Sequence, residues 1–113
     1  MKRIVMCLTF ATLLAGASVS AQHQALAERG AKVYAAQKCA ICHSIGGKGN
    51  QKGPLDEVGA KLSADEIRMW IVDAPAMTAK AKSTRKPVMR AYASLAKDEL
   101  EALVAYMQSL KNK

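Results

Sequence analysis

A chain of 113 residues that is 50% hydrophobic but only 4% aromatic has room for one domain and few large side chains with which to fill it. Its 17 basic and 9 acidic residues give a net charge of +8, which favours acidic macromolecules or surfaces as partners and says nothing about fold. Three cysteines exclude an extensive disulfide framework.

The chain opens with Lys2 and Arg3, an apolar run from Ile4 to Ala17, and the small residues Ala17-Ser18-Val19-Ser20-Ala21. This is the pattern of an export signal, with cleavage expected after Ala21. A retained membrane anchor is the competing reading, and the run is shorter than the roughly 20 apolar residues that a span needs. On the export reading, residues 1–21 are removed. A single domain, residues 22–113, then works in the periplasm without stable membrane insertion. Cys7 leaves with the signal, so Cys39 and Cys42 remain. Losing Lys2 and Arg3 from the 17 basic residues leaves 15 against 9 acidic ones, a net of +6. Export also sets nucleic acid aside as a partner.

Leu26, Gly30, Val33, Tyr34 and Gln37 recur at spacings of three and four, which predicts a helix over about 24–38 with one packing stripe. Glycine within a helix costs about 1 kcal/mol relative to alanine, so Gly30 calls for a positive reason, and close approach of another helix is the usual one.

Cys39-Ala40-Ile41-Cys42-His43 follows. Two thiols three positions apart can each add to one of the two vinyl groups on one edge of a haem, and the adjacent histidine then falls beneath the iron. The expectation is one haem c held by Cys39 and Cys42, with His43 as the proximal iron ligand. Three plainer readings compete. A thioredoxin-type redox pair belongs in a strand-and-helix alternation that is missing here. A zinc site wants four ligands, and outside this cluster only His23 and carboxylates remain. A structural disulfide leaves His43 without a role.

Beyond His43 the glycines and polar residues up to Gly53-Pro54 predict a loop, and no strand-like alternation is visible anywhere. Ser63-Ala64-Asp65-Glu66 is a capping box opening a short helix with Ile67, Trp70 and Ile71, and Pro75 stands just past its end. From Ala76 to Val88 the periodicity disappears, which predicts a second long loop. A last helix is expected from about Lys97 to Leu110. Leu100, Leu103, Val104, Met107 and Leu110 lie on one of its faces, and Asp98 and Glu99 in its positive first turn. Its cap position holds Ala96, where serine or threonine is usual.

A low-spin iron needs a second strong ligand, and a methionine thioether raises the potential. Met69 and Met107 fall within predicted helices and read as packing residues. Met77 and Met89 fall in the predicted loop, and Met89 is preferred because it lies later, shortly before the last helix. Met77, His23 and an open site remain as alternatives. The same loop carries Lys80, Lys82, Arg85, Lys86 and Arg90 without an acid between them. It reads either as a solvated face or as a docking rim for an acidic patch on a redox protein partner.

Taken together, these residues resemble the class I cytochromes c, the small monohaem carriers, over roughly residues 25–111. The resemblance rests on Gly30 and Tyr34 before Cys39-Ala-Ile-Cys42-His43, then Lys52-Gly53-Pro54-Leu55, Trp70-Ile71, and a methionine before Leu103-Val104-Ala105-Tyr106. It implies an all-α cytochrome c-like fold, with three to four helices around one covalently bound haem. It implies that the Pro54 carbonyl accepts from the His43 imidazole N–H, and that Trp70 and Ile71 line the haem pocket. The first and last helices would cross at Gly30, against Leu103 or Tyr106. Two departures stand out: Arg90, in place of the usual proline, follows Met89, and the interval from Tyr34 to Cys39 is one residue longer than in many members.

The function expected is one-electron transfer through a haem with His/Met ligation, without enzymatic activity. No paired carboxylates, activated nucleophile or phosphate loop points to catalysis. The rival readings are a haem sensor of small ligands and an electron-feeding subunit of a larger oxidoreductase.

Overall fold

Ser18 opens the first helix by accepting from the Ala21 amide at 3.2 Å, and α1 runs Val19–Ala36 in the computed structural model, which describes residue 16 and residues 18–111. The expected export segment, residues 1–21, lies largely outside the described residues, and Cys7 lies wholly outside them. The helix starts five residues before the expected position because Ser18 is an effective cap. It stops at Ala36, and Lys38 then takes a left-handed conformation, φ 57°, which directs the chain into the tight turn Cys39–Ile41.

Glycines at positive φ, Gly46, Gly47 and Gly49, shape the next segment into a small antiparallel hairpin, β1 (Ser44–Ile45) and β2 (Lys48–Gly49), where sequence periodicity predicts only loop. Two-residue strands are too short to show alternation. α2 is a single turn, Val58–Lys61. α3, Ala64–Val72, begins on the expected capping box, with Ser63 accepting from the Glu66 amide at 3.2 Å and Glu66 accepting from the Ser63 amide at 3.1 Å.

The expectation of an unstructured loop from Ala76 onward is corrected by α4, Ala74–Lys80. Asp73 caps it by accepting from the Ala76 amide, and Pro75 fits its first turn, where the missing N–H costs nothing. The long connection then spans residues 81–96, and α5 runs Lys97–Ser109 from the uncapped Ala96, as the sequence predicts. The described residues thus hold five α-helices and not three to four, because the additional α2 and α4 are too short to leave a clear periodic signal.

α1 and α5 cross at Gly30. A Cβ on Gly30 would lie 2.0 Å from the Ala102 carbonyl oxygen and 2.6 Å from the Tyr106 Cβ, so of the two expected neighbours Tyr106 is found, and the Ala102 backbone stands where Leu103 is the alternative. Tyr34 and Tyr106 meet edge to face beside this crossing, with ring centroids 5.8 Å apart. The core is Val33, Tyr34, Ile67, Ile71, Leu103, Val104 and Met107, drawn from α1, α3 and α5. At the rims, Arg29 pairs with Asp98, and Arg68 grips Glu101 through two bonds of 2.8 and 2.9 Å, fastening α1 and α3 to α5.

Candidate haem site

The turn at Cys39 is set by backbone bonds: the amides of Cys42 and His43 both donate to the Cys39 carbonyl, at 3.1 and 2.9 Å. Cys39 and Cys42 are half-buried and not joined to one another, and Cys39 packs against the core. Burial pushes the Cys39 thiol above its usual pKa, so it is not an exposed, activated thiolate. Among the described residues no three His, Cys, Asp or Glu side chains converge to hold a metal ion.

The hairpin wraps this turn. The Asn50 amide donates to the carbonyls of Ala40 (3.0 Å) and His43 (2.9 Å), and Gly49, at φ 107°, leaves no room for a side chain: a Cβ would stand 2.2 Å from the His43 carbonyl oxygen. His43 Nδ1 donates to a backbone carbonyl, and here the expectation is corrected: the acceptor is Gly53, at 3.0 Å, and not Pro54. Gly53 is buried and its carbonyl also accepts from the Ser44 amide at 3.1 Å, so it already faces the His43 side of the turn, whereas Pro54 is exposed. The consequence for the ring is the same. A carbonyl can only accept, so Nδ1 carries the proton and Nε2 keeps its lone pair for a metal. Burial, which outweighs the Gly53 bond, and the nearby Arg85 charge hold the imidazole below its usual pKa and therefore neutral at pH 7.

The structure separates the methionines. Met107 is buried in the core, and Met69 lies on α3 at 44% exposure. Met77 lies on α4 and not in the loop where the sequence places it, because Asp73 and Pro75 start a helix there. Met89 is half-buried in the connection 81–96. Tyr92, three residues later, donates its amide to the Ile71 carbonyl at 2.8 Å, which ties that part of the connection to α3. His23 sits in the second turn of α1, about 20 Å along the helix axis from its Cys39 end. Ile71 is in the core, and Trp70 is half-buried outside it.

Two residues important to this site escape sequence reasoning. Tyr34 has its hydroxyl sealed from solvent without a hydrogen-bond partner, and its pKa is pushed up to about 12, chiefly by burial and further by Cys39, Tyr106 and Asp56. Arg85 donates to the Cys42 carbonyl. Nothing in the sequence separates Arg85 from the other cations of its loop, while Tyr34 is visible as a member of a packing stripe and of the family pattern but not as an unpartnered hydroxyl.

A haem fits these residues. No large side chain among the described residues is completely sealed, and the core is fringed by half-buried Cys39, Ile45, Leu55, Leu62, Tyr92, Leu95 and Leu100. That fringe is apolar surface of the kind a flat apolar group covers, and the orphaned Tyr34 hydroxyl is a polar atom in the same interior.

The cytochrome c family model matches residues 27–111, from the packing stripe of α1 to the end of the described chain. The chain belongs to the cytochrome c family. A cytochrome c of this class is a monohaem protein with covalently bound haem c and its iron, working in electron transport with redox partners. The chain is also 29% identical over 104 residues to cytochrome c oxidase subunit 2 of Alkalihalophilus pseudofirmus; the match covers 84% of this chain and 29% of that protein's length. No solved structure matches the chain. Among the described residues no helix is long and apolar enough to cross a membrane.

Proposed function

We propose that this cytochrome is an exported periplasmic one-electron carrier, formed by residues 22–113 after removal of residues 1–21. Cys39 and Cys42 would hold the haem through thioethers, with His43 and Met89 as the axial ligands of the iron. The observation that carries this reading is the His43 Nδ1–Gly53 bond of 3.0 Å, which leaves Nε2 as a neutral donor beside two unpaired cysteines. When bound, the haem supplies an iron that cycles between ferric and ferrous states.

The chain's own contribution is ligation, exclusion of water and a docking face. Tyr92 and α3 anchor the chain three residues after Met89. Ile71, from the core, and Trp70 are proposed to border the haem, and Pro54 to cover its His43 side. Lys80, Lys82, Lys86 and Arg90 stay exposed and form the rim offered to an acidic patch on a redox partner. No enzymatic role is assigned to the chain itself. The oxidase subunit that it resembles supports a second reading, in which this domain feeds electrons to a larger oxidoreductase.

Absorption spectra of the ferric protein test the ligation. A sulfur-to-iron band is expected in the unmodified protein and in Met77→Ala, and not in Met89→Ala. A high-spin spectrum in the unmodified protein would instead favour a haem that binds small ligands.

A further inference from the structure

Of the five cations in the basic run, Arg85 alone is half-buried and the other four are exposed. Its guanidinium donates to the Cys42 carbonyl and lies so close to Gly53 that a Cβ there would meet Nη1 at 2.1 Å and Nη2 at 2.5 Å. Gly53 is the residue whose carbonyl accepts from His43 Nδ1 and from the Ser44 amide. Arg85 therefore bears on both sides of the turn that holds His43: the peptide just before it, and the glycine that orients it. At the far end of the same stretch the Tyr92 amide is fixed to Ile71. Residues 86–91, with Met89 among them, are thus suspended between two tethers, one to the haem-attachment turn and one to α3.

We propose that Arg85 is a positioning residue that locks the Met89-bearing loop to the turn carrying His43, so that the two segments move as one body. This rests on the reading of Met89 and His43 as opposed ligands. A guanidinium-to-carbonyl bond is charge-assisted, and the planar fork lays both terminal nitrogens in the space left by the missing Gly53 side chain. The fixed positive charge beside the turn also favours the ferrous over the ferric iron, because the reduced site carries one positive charge less. Gly53 is then required for two reasons at once, since any side chain would displace both the Cys42 carbonyl, 2.4 Å from such a Cβ, and the guanidinium.

The test compares Arg85→Gln, Arg85→Lys and Lys86→Gln in the haem-loaded protein, by hydrogen exchange and by reduction potential. Lys86 is exposed and its replacement strips one charge from the same loop without touching the turn. Arg85→Gln is expected to speed exchange at the Ser44 and Gly53 amides by about tenfold or more and to lower the potential. Arg85→Lys should keep most of the potential but exchange nearly as fast as Arg85→Gln. Lys86→Gln should leave exchange as it was. Equal exchange in Arg85→Gln and Lys86→Gln would overturn the proposal, as would full restoration of slow exchange by Arg85→Lys, which would mean that charge alone suffices. If the unmodified protein lacked the sulfur-to-iron band, the Met89 assignment would fall, while the exchange comparison would still decide the role of Arg85.

Discussion

Gly30 on α1 sits directly on the Ala102 carbonyl of α5, with 2.0 Å left for any Cβ placed there. The pairing of the first and last helices, and with it the Tyr34–Tyr106 contact, depends on that missing methyl. Alanine at position 30 gains about 1 kcal/mol in helix propensity, but overpacking of this kind costs about 3 kcal/mol. Gly30→Ala is therefore expected to lower the unfolding free energy by about 2 kcal/mol in denaturant titration. A gain in stability would show that the helices part at no cost.

Ala96 is the residue before α5 and contributes no side-chain bond to its exposed amides, although Asp98 and Glu99 already favour its positive end. Ala96→Ser supplies an acceptor and is expected to stabilise the protein by about 1 kcal/mol. Thermal unfolding at fixed pH checks this, and a melting temperature that does not rise would place the cap elsewhere.

Arg68 holds the Glu101 carboxyl below its usual pKa, first through their hydrogen bonds and then through its charge. A depressed folded-state pKa means that the stabilisation is complete above the unfolded value, near 4.5, and fades as pH falls through the folded one. Glu101→Gln should accordingly melt below the unmodified protein at pH 7, and the difference should shrink as the solution is acidified below pH 4.5. A gap that stayed constant down to pH 2 would contradict the ion pair as its source.

Lys80, Lys82, Lys86 and Arg90 face solvent around the stretch that carries Met89, with Arg90 stacked 4.9 Å from the Tyr92 ring centroid. If they form the docking rim, electron transfer to a partner with an acidic patch should slow as ionic strength rises, and more steeply than in a Lys82→Gln/Lys86→Gln variant. Rates indifferent to salt would reduce this face to a solvated surface.

What the sequence discloses and what it conceals follow the range of the interactions involved. The Ser63–Glu66 capping box, the uncapped Ala96 and the Gly30 crossing are local or periodic signals, and each is found where the residues place it. α4 is missed, because Asp73 followed by Pro75 is a helix start that reads as a stop when the proline is considered alone. Its recovery moves Met77 onto a helix and leaves Met89 as the methionine of the long connection.

Other features had no local signal. The choice between Gly53 and Pro54 as acceptor for His43 depends on where the hairpin lays the chain across the turn, which a lone glycine–proline pair does not specify. Arg85 reaches Cys42 across 43 positions of sequence, and a run of cations looks alike at every member. Between Tyr34 and Cys39, Lys38 adopts a left-handed conformation, for which lysine gives no forewarning.

The central claim is that Cys39 and Cys42 fasten the haem. It is tested most directly by digesting protein from a host able to attach haem c with trypsin and weighing the peptide from Cys39 to Lys48. The account predicts that this peptide carries the mass of one haem, and that Cys39→Ala/Cys42→Ala abolishes it. Recovery of the peptide at its bare mass from folded, haem-containing protein would contradict the account.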